Sequence, residues 1–155
     1  MTNEYLLWIA TTAYAVHALE EHQYDWRDWA QKILHLPVDW PTFYMTNAAV
    51  MVLGVSCAMV GWRLPEFSLT LPALMAINAV FFHILPTVVT RRFSPGLITA
   101  VLLFLPMAWW IYCGASRDGV LTTRVLLCAL GGGAVLMAFP IALLRTKDKP
   151  LFRQD

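Results

Sequence analysis

Apolar residues come in five long blocks along the 155-residue chain, parted by short polar runs. A transmembrane helix takes about 20 predominantly apolar residues, and each block is close to that length. The pattern predicts spans over residues 4–21, 41–62, 67–89, 95–115 and 119–144, with Pro41 suited to the first turn of the second. The hinges RLPE, TRRFSPG and SRDG are short, which makes the last four helices antiparallel neighbours. The first connection is longer. Within YDWRDWAQKILHLPVDWP, Trp26, Trp29, Ile33 and Leu36 recur at helical spacing, and Asp25, Arg27, Asp28, Gln31 and Lys32 take the other face. That is the pattern of an amphipathic helix over residues 24–36, lying in the membrane interface and roofing whatever lies beneath. The predicted fold is all-α: one domain over residues 1–155, an integral membrane bundle of five transmembrane helices plus one interfacial amphipathic helix. Pro72, Pro86, Pro106 and Pro140 are expected to kink or end their helices. Gly131, Gly132 and Gly133 are expected to admit a close helix neighbour.

Composition agrees with this pattern. The chain is 59% hydrophobic and 14% charged, against about 25% charged in soluble domains. A net charge of +1 gives no reason to expect a nucleic-acid partner; the expected partner is the lipid bilayer. Cys57, Cys113 and Cys128 lie in or beside apolar runs without metal-ligand spacing, and read as free thiols packed as small hydrophobes. The N-terminus, MTNEY, carries an acid where a signal peptide needs positive charge, so the first block reads as a retained helix. With five spans, Arg27, Lys32, Arg91, Arg92, Arg145, Lys147, Lys149 and Arg153 fall on one side, and Arg63, Arg117 and Arg124 on or near the other. The basic excess predicts a multi-pass protein with its N-terminus outside and its C-terminus in the cytoplasm.

Ionisable residues inside the spans are rare and expensive, and by default mark a functional site. Besides Arg124 they are His17, Glu20, Glu21 and His83. The antiparallel order brings His17, Glu20 and Glu21, at the end of the first helix, to the same cytoplasmic-half layer as Asn47 and His83, with Asn78 slightly deeper in the membrane. At about 100° per residue, Glu20 falls roughly 60° to one side of His17 and Glu21 roughly 40° to the other, so all three face one pocket. His22 points elsewhere. Adjacent acids at a helix C-terminus meet the negative end of the helix dipole, each other's charge and desolvation. Each effect favours keeping a proton on one of them, beside a base.

His17-Ala18-Leu19-Glu20-Glu21 fits H-x-x-E-E near the end of a first transmembrane helix. This resembles the HXXEE family of integral membrane proteins, named for that motif. INAVFFHIL, residues 77–85, is similar to the Asn-and-His segment of a later helix in such proteins. The resemblance implies the membrane fold and supplies no reaction. A looser likeness, of architecture and residue types alone, is to emopamil-binding-type sterol isomerases, which move protons on lipid-like substrates with histidine and glutamate.

Three functions compete. The first is acid–base chemistry (isomerisation, cyclisation or epoxide opening) on an apolar lipid-like, isoprenoid or polyketide-derived substrate, without a cofactor. Here His17, Glu20, Glu21 and His83 are catalytic. Asn47, Asn78, Tyr14, Phe81 and Phe82 bind substrate, the aromatics favouring a carbocation. The second is a metal site of iron or zinc on His17, Glu20 (or Glu21) and His83. The third is a non-enzymatic lipid binder, carrier or assembly subunit. The topology has its own check. A cysteine placed in the KDKPLFRQD tail is expected to resist an impermeant maleimide in intact cells; labelling from outside would reverse the orientation.

Overall fold

The computed structural model describes residues 2–146, and among these the chain is all-helical. A 3-10 turn, Asn3–Tyr5, leads into α1, Leu6–Gln23. The short α2, Trp26–Trp29, continues as a wide π turn, Ala30–Leu34. Four long rods follow: α3, Trp40–Arg63; α4, Pro65–Thr90; α5, Leu97–Arg117; and α6, Thr123–Thr146. Asp39 starts α3 by accepting the Thr42 N–H at 2.8 Å, with proline in the first turn.

Four helices, α3 to α6, are long and apolar enough to cross a membrane, one fewer than the five predicted. Large apolar side chains such as Val52, Val88, Leu102, Trp109, Leu127 and Val135 face outward on them. In water such a surface would aggregate; in hydrocarbon it is the expected exterior. The chain is therefore a multi-pass membrane protein. The expected first span is helical, but His17, Glu20, Glu21, His22 and Gln23 make its last turns too polar for a span. Instead α1 packs against α3, α4 and α5. Its buried residues Leu7, Ala10, Tyr14, His17 and Glu21 recur three or four apart, so one face carries core at one end and polar groups at the other.

The segment after α1 folds over one end of the bundle, where Trp29, Ala30, Leu36 and Val38 bury against Phe43 and Leu144. The other end is held by polar contacts. Asp118 accepts from the Asn3 backbone N–H, from Asn3 Nδ2 at 2.8 Å and from the Trp62 indole at 2.8 Å. Those donors, the Asn3 backbone N–H foremost, hold its carboxyl below the usual carboxylate range. Lys147, Lys149 and Arg153 of the basic tail lie outside the described residues.

Small residues set the helix spacing. A Cβ on Gly54 of α3 would lie 2.8 Å from Thr11 Oγ1 of α1. One on Gly133 of α6 would lie 2.8 Å from the Leu74 backbone nitrogen of α4, whereas one on Gly131 would meet nothing. The glycine triplet is thus not uniform. Gly133→Val is expected to force α4 and α6 apart and cost about 1–3 kcal/mol. Gly131→Ala is expected to add about 0.5–1 kcal/mol through helix propensity. Thermal unfolding of the two variants in detergent checks the contrast.

Candidate functional site

Three buried side chains meet at the end of the bundle that α2 covers. His17 and Glu21 stand one turn apart on α1, and His83 comes from α4; their exposures are 1%, 5% and 0%. Glu21 Oε1 lies 3.6 Å from His17 Nε2 and 3.5 Å from His83 Nε2. The two imidazoles meet edge to face with centroids 4.8 Å apart.

Each imidazole has its other nitrogen committed. His17 Nδ1 is 2.7 Å from Thr99 Oγ1. That hydroxyl donates its single proton to Glu20 Oε2 at 2.5 Å, so it accepts from His17 Nδ1–H. His83 Nδ1 is 3.1 Å from Ser94 Oγ, and that hydroxyl also lies 3.2 Å from the Phe82 carbonyl and 3.4 Å from the Pro95 carbonyl. The Phe82 carbonyl is free because Pro86, four residues on, has no N–H to give it. The chain accommodates the proline with a π turn, Ala79–Ile84, which carries His83. Both histidines therefore turn Nε2 toward Glu21, and among the described residues neither Nε2 has a hydrogen-bond partner.

Glu20 has a separate task. Its carboxylate accepts the backbone N–H of Ile98 at 3.1 Å and of Thr99 at 2.7 Å, besides the Thr99 hydroxyl. It caps the N-terminus of α5 from another helix, where the dipole favours an anion. Arg91 and Arg92, basic neighbours in sequence, are exposed. Gly96, at φ +93°, closes the site from the α4–α5 hinge. A Cβ there would lie 2.6 Å from His83 Cε1 and 2.9 Å from His17 Cε1, so only glycine suits both the turn and the space.

A cavity of about 70 Å³ adjoins Glu21, lined among others by Tyr14, Asn47, Asn78 and Phe82 and roofed by Trp26, Leu36 and Val38. Asn47 Nδ2 donates to the Phe43 carbonyl at 3.0 Å, which fixes its amide orientation, since only the NH₂ can donate. The Oδ1 atoms of Asn47 and Asn78 are buried without partners. Tyr14 stacks on Phe104, 5.6 Å between centroids. Phe81 is 57% exposed on the outer surface, away from this cavity. His22 is exposed too, against Trp40 and Tyr44.

The sequence profile described as "Protein of unknown function with HXXEE motif" matches residues 8–111. The chain belongs to the HXXEE family. The matched region holds His17, Glu20, Glu21, His83, Ser94, Gly96 and Thr99, and ends before α6. The chain is 33% identical over 76 residues to the uncharacterized protein YrkK of Bacillus subtilis (strain 168), an alignment covering 48% of each chain. The chain thus spans about half the length of that relative. No solved structure matches it.

Sequence reasoning missed Ser94, Gly96 and Thr99. The available signal was the need of a buried histidine for a hydroxyl on its second nitrogen, together with Pro86 releasing a carbonyl four residues back. Glu20→Ala is expected to uncap α5 and lower stability by about 1–3 kcal/mol. Thermal unfolding in detergent measures it.

Proposed function

We propose that His17, Glu21 and His83 hold one divalent transition metal, zinc or iron, and that the protein is a membrane-embedded, metal-dependent enzyme. One observation carries this reading: two buried imidazole Nε2 atoms and a buried carboxylate oxygen converge within 4.8 Å of one another, and among the described residues neither Nε2 has a hydrogen-bond partner. Two imidazole nitrogens and a carboxylate oxygen are the donor set that zinc and non-haem iron take. Ligand atoms around an ion at about 2.0–2.1 Å sit about 3.3–3.5 Å apart in tetrahedral geometry, near the 3.5 and 3.6 Å found. The hydroxyls on the far nitrogens are the outer hydrogen bonds that orient metal-ligating histidines. Three protein ligands leave a coordination position open, and a cavity borders one of them, Glu21. When bound, the ion supplies Lewis acidity to a water or a substrate oxygen.

The acid–base reading is supported by Glu21, which touches both imidazoles and borders the cavity. It is the weaker of the two. At 3.5–3.6 Å neither contact from Glu21 to an imidazole is a hydrogen bond of ordinary length. Within that reading Glu21, rather than Glu20, carries the proton, because both Glu20 oxygens serve α5. The basic excess supports a cytoplasmic setting for the site's end of the bundle.

Elemental analysis of purified protein is expected to find about one zinc or iron per chain. His17→Ala, His83→Ala and Glu21→Gln are expected to lose it, and Glu20→Gln to keep it. Cobalt(II) reconstitution adds a readout, a visible d–d spectrum that depends on the same three residues. Protein that neither contains a metal nor takes up zinc, iron or cobalt sinks the metal reading.

A further inference from the structure

An apolar groove of about 430 Å³ runs between α3 and α6, walled by Met45, Ala49 and Leu53 on one side and Leu136 and Phe139 on the other. Met45 is 74% and Phe139 59% exposed, so the groove opens on the surface that faces lipid. Thr42, Thr46, Pro140 and Leu144 line both this groove and the inner cavity. The two spaces therefore share walls, apolar at the bilayer side and polar at the Glu21 side. Pro140 lies within α6, where a proline removes a helix hydrogen bond and crowds the preceding turn.

The inner end selects the head of the occupant. Among the described residues no donor reaches the buried Oδ1 atoms of Asn47 and Asn78, and Asn78 is 6% exposed. A pure hydrocarbon would leave both unsatisfied. A carboxylate would be repelled by Glu21 and by both amide oxygens. An ammonium would lose its hydration on entering the cavity. A hydroxyl satisfies an amide oxygen by donating, and its own oxygen remains available to the ion. The groove lies toward the lower end of the range for small-molecule sites, about 300–1,000 Å³, which suits one chain.

We propose that the substrate class is a single-chain hydroxylated lipid, a long-chain or isoprenoid alcohol. It enters sideways from the bilayer between α3 and α6 and places its hydroxyl at Asn47 and Asn78 beside Glu21. This deepens the reading of the site as catalytic, which it takes as its starting point. The α6 wall lies beyond residues 8–111, so the family profile matches only the α3 side of the groove.

The test uses the full chain in lipid nanodiscs and hexadecanol carrying a mid-chain diazirine. Photolabelling is expected on α3 and α6, competed by hexadecanol and not by hexadecane or palmitate. Ala49→Trp and Leu53→Trp fill the groove and are expected to abolish labelling, with unfolding midpoints confirming that they fold. Asn78→Leu is expected to weaken hexadecanol competition about tenfold, the loss of one buried hydrogen bond. Equal competition by hexadecane, better competition by palmitate, or undiminished labelling in both tryptophan variants overturns the proposal. Metal content is read on the same samples. Labelling without metal supports the groove and removes only the metal reading; metal without labelling overturns only the groove.

Discussion

A buried imidazole has two nitrogens to satisfy, and in this bundle one of them is always taken by a hydroxyl. Thr99 holds Nδ1 of His17 and Ser94 holds Nδ1 of His83. Each hydroxyl is in turn within reach of a further acceptor: the Glu20 carboxylate in one case, the Phe82 carbonyl in the other. These two chains of hydrogen bonds fix the ring orientations, and so turn both Nε2 atoms toward Glu21. They also explain local structure that is otherwise odd. The π turn at residues 79–84, the proline that follows it and the positive φ at Gly96 all lie within reach of the same pair of rings.

The rest of the bundle positions this arrangement. Close approach at Gly54 and Gly133 sets how far α3 and α6 stand from α1 and α4. Asp118, Asn3 and Trp62 tie the opposite end, so that α1 is held at its start as well as at its polar finish. Between these ends α1 is apolar on both its inner and outer faces, with Trp8, Ile9 and Leu19 exposed. The buried face gives His17 and Glu21 a protein environment, where the outer face would leave them in hydrocarbon.

The H-x-x-E-E motif divides its labour. His17 and Glu21, four residues apart, share the inner face with His83, while Glu20 serves the N-terminus of α5. The first glutamate therefore supports the site through Thr99, and the second belongs to it. The cavity with Asn47 and Asn78 adjoins the second glutamate, which gives any chemistry at the cluster an approach from one direction.

By itself the sequence determined the helical class, the membrane setting and the shortlist of polar residues. Length, hydropathy and punctuation by proline and glycine are local properties, and they place α3 to α6 without knowledge of neighbours. The layer shared by His17, Glu21, Asn47 and His83 was legible too, because antiparallel order fixes depth. Tertiary structure alone decided the rest. Glu20 and Glu21 flank His17 at angles that both allow an inward role, and only the exposed N–H groups of α5 draw one of them away. Phe81 and Phe82 are adjacent, and only packing decides that Phe82 lines the cavity while Phe81 faces outward. Ser94 and Thr99 became partners of the histidines through contacts 11 and 82 residues apart in the chain. Spacing along one helix cannot encode which neighbour satisfies a buried donor; that is set where the helices meet.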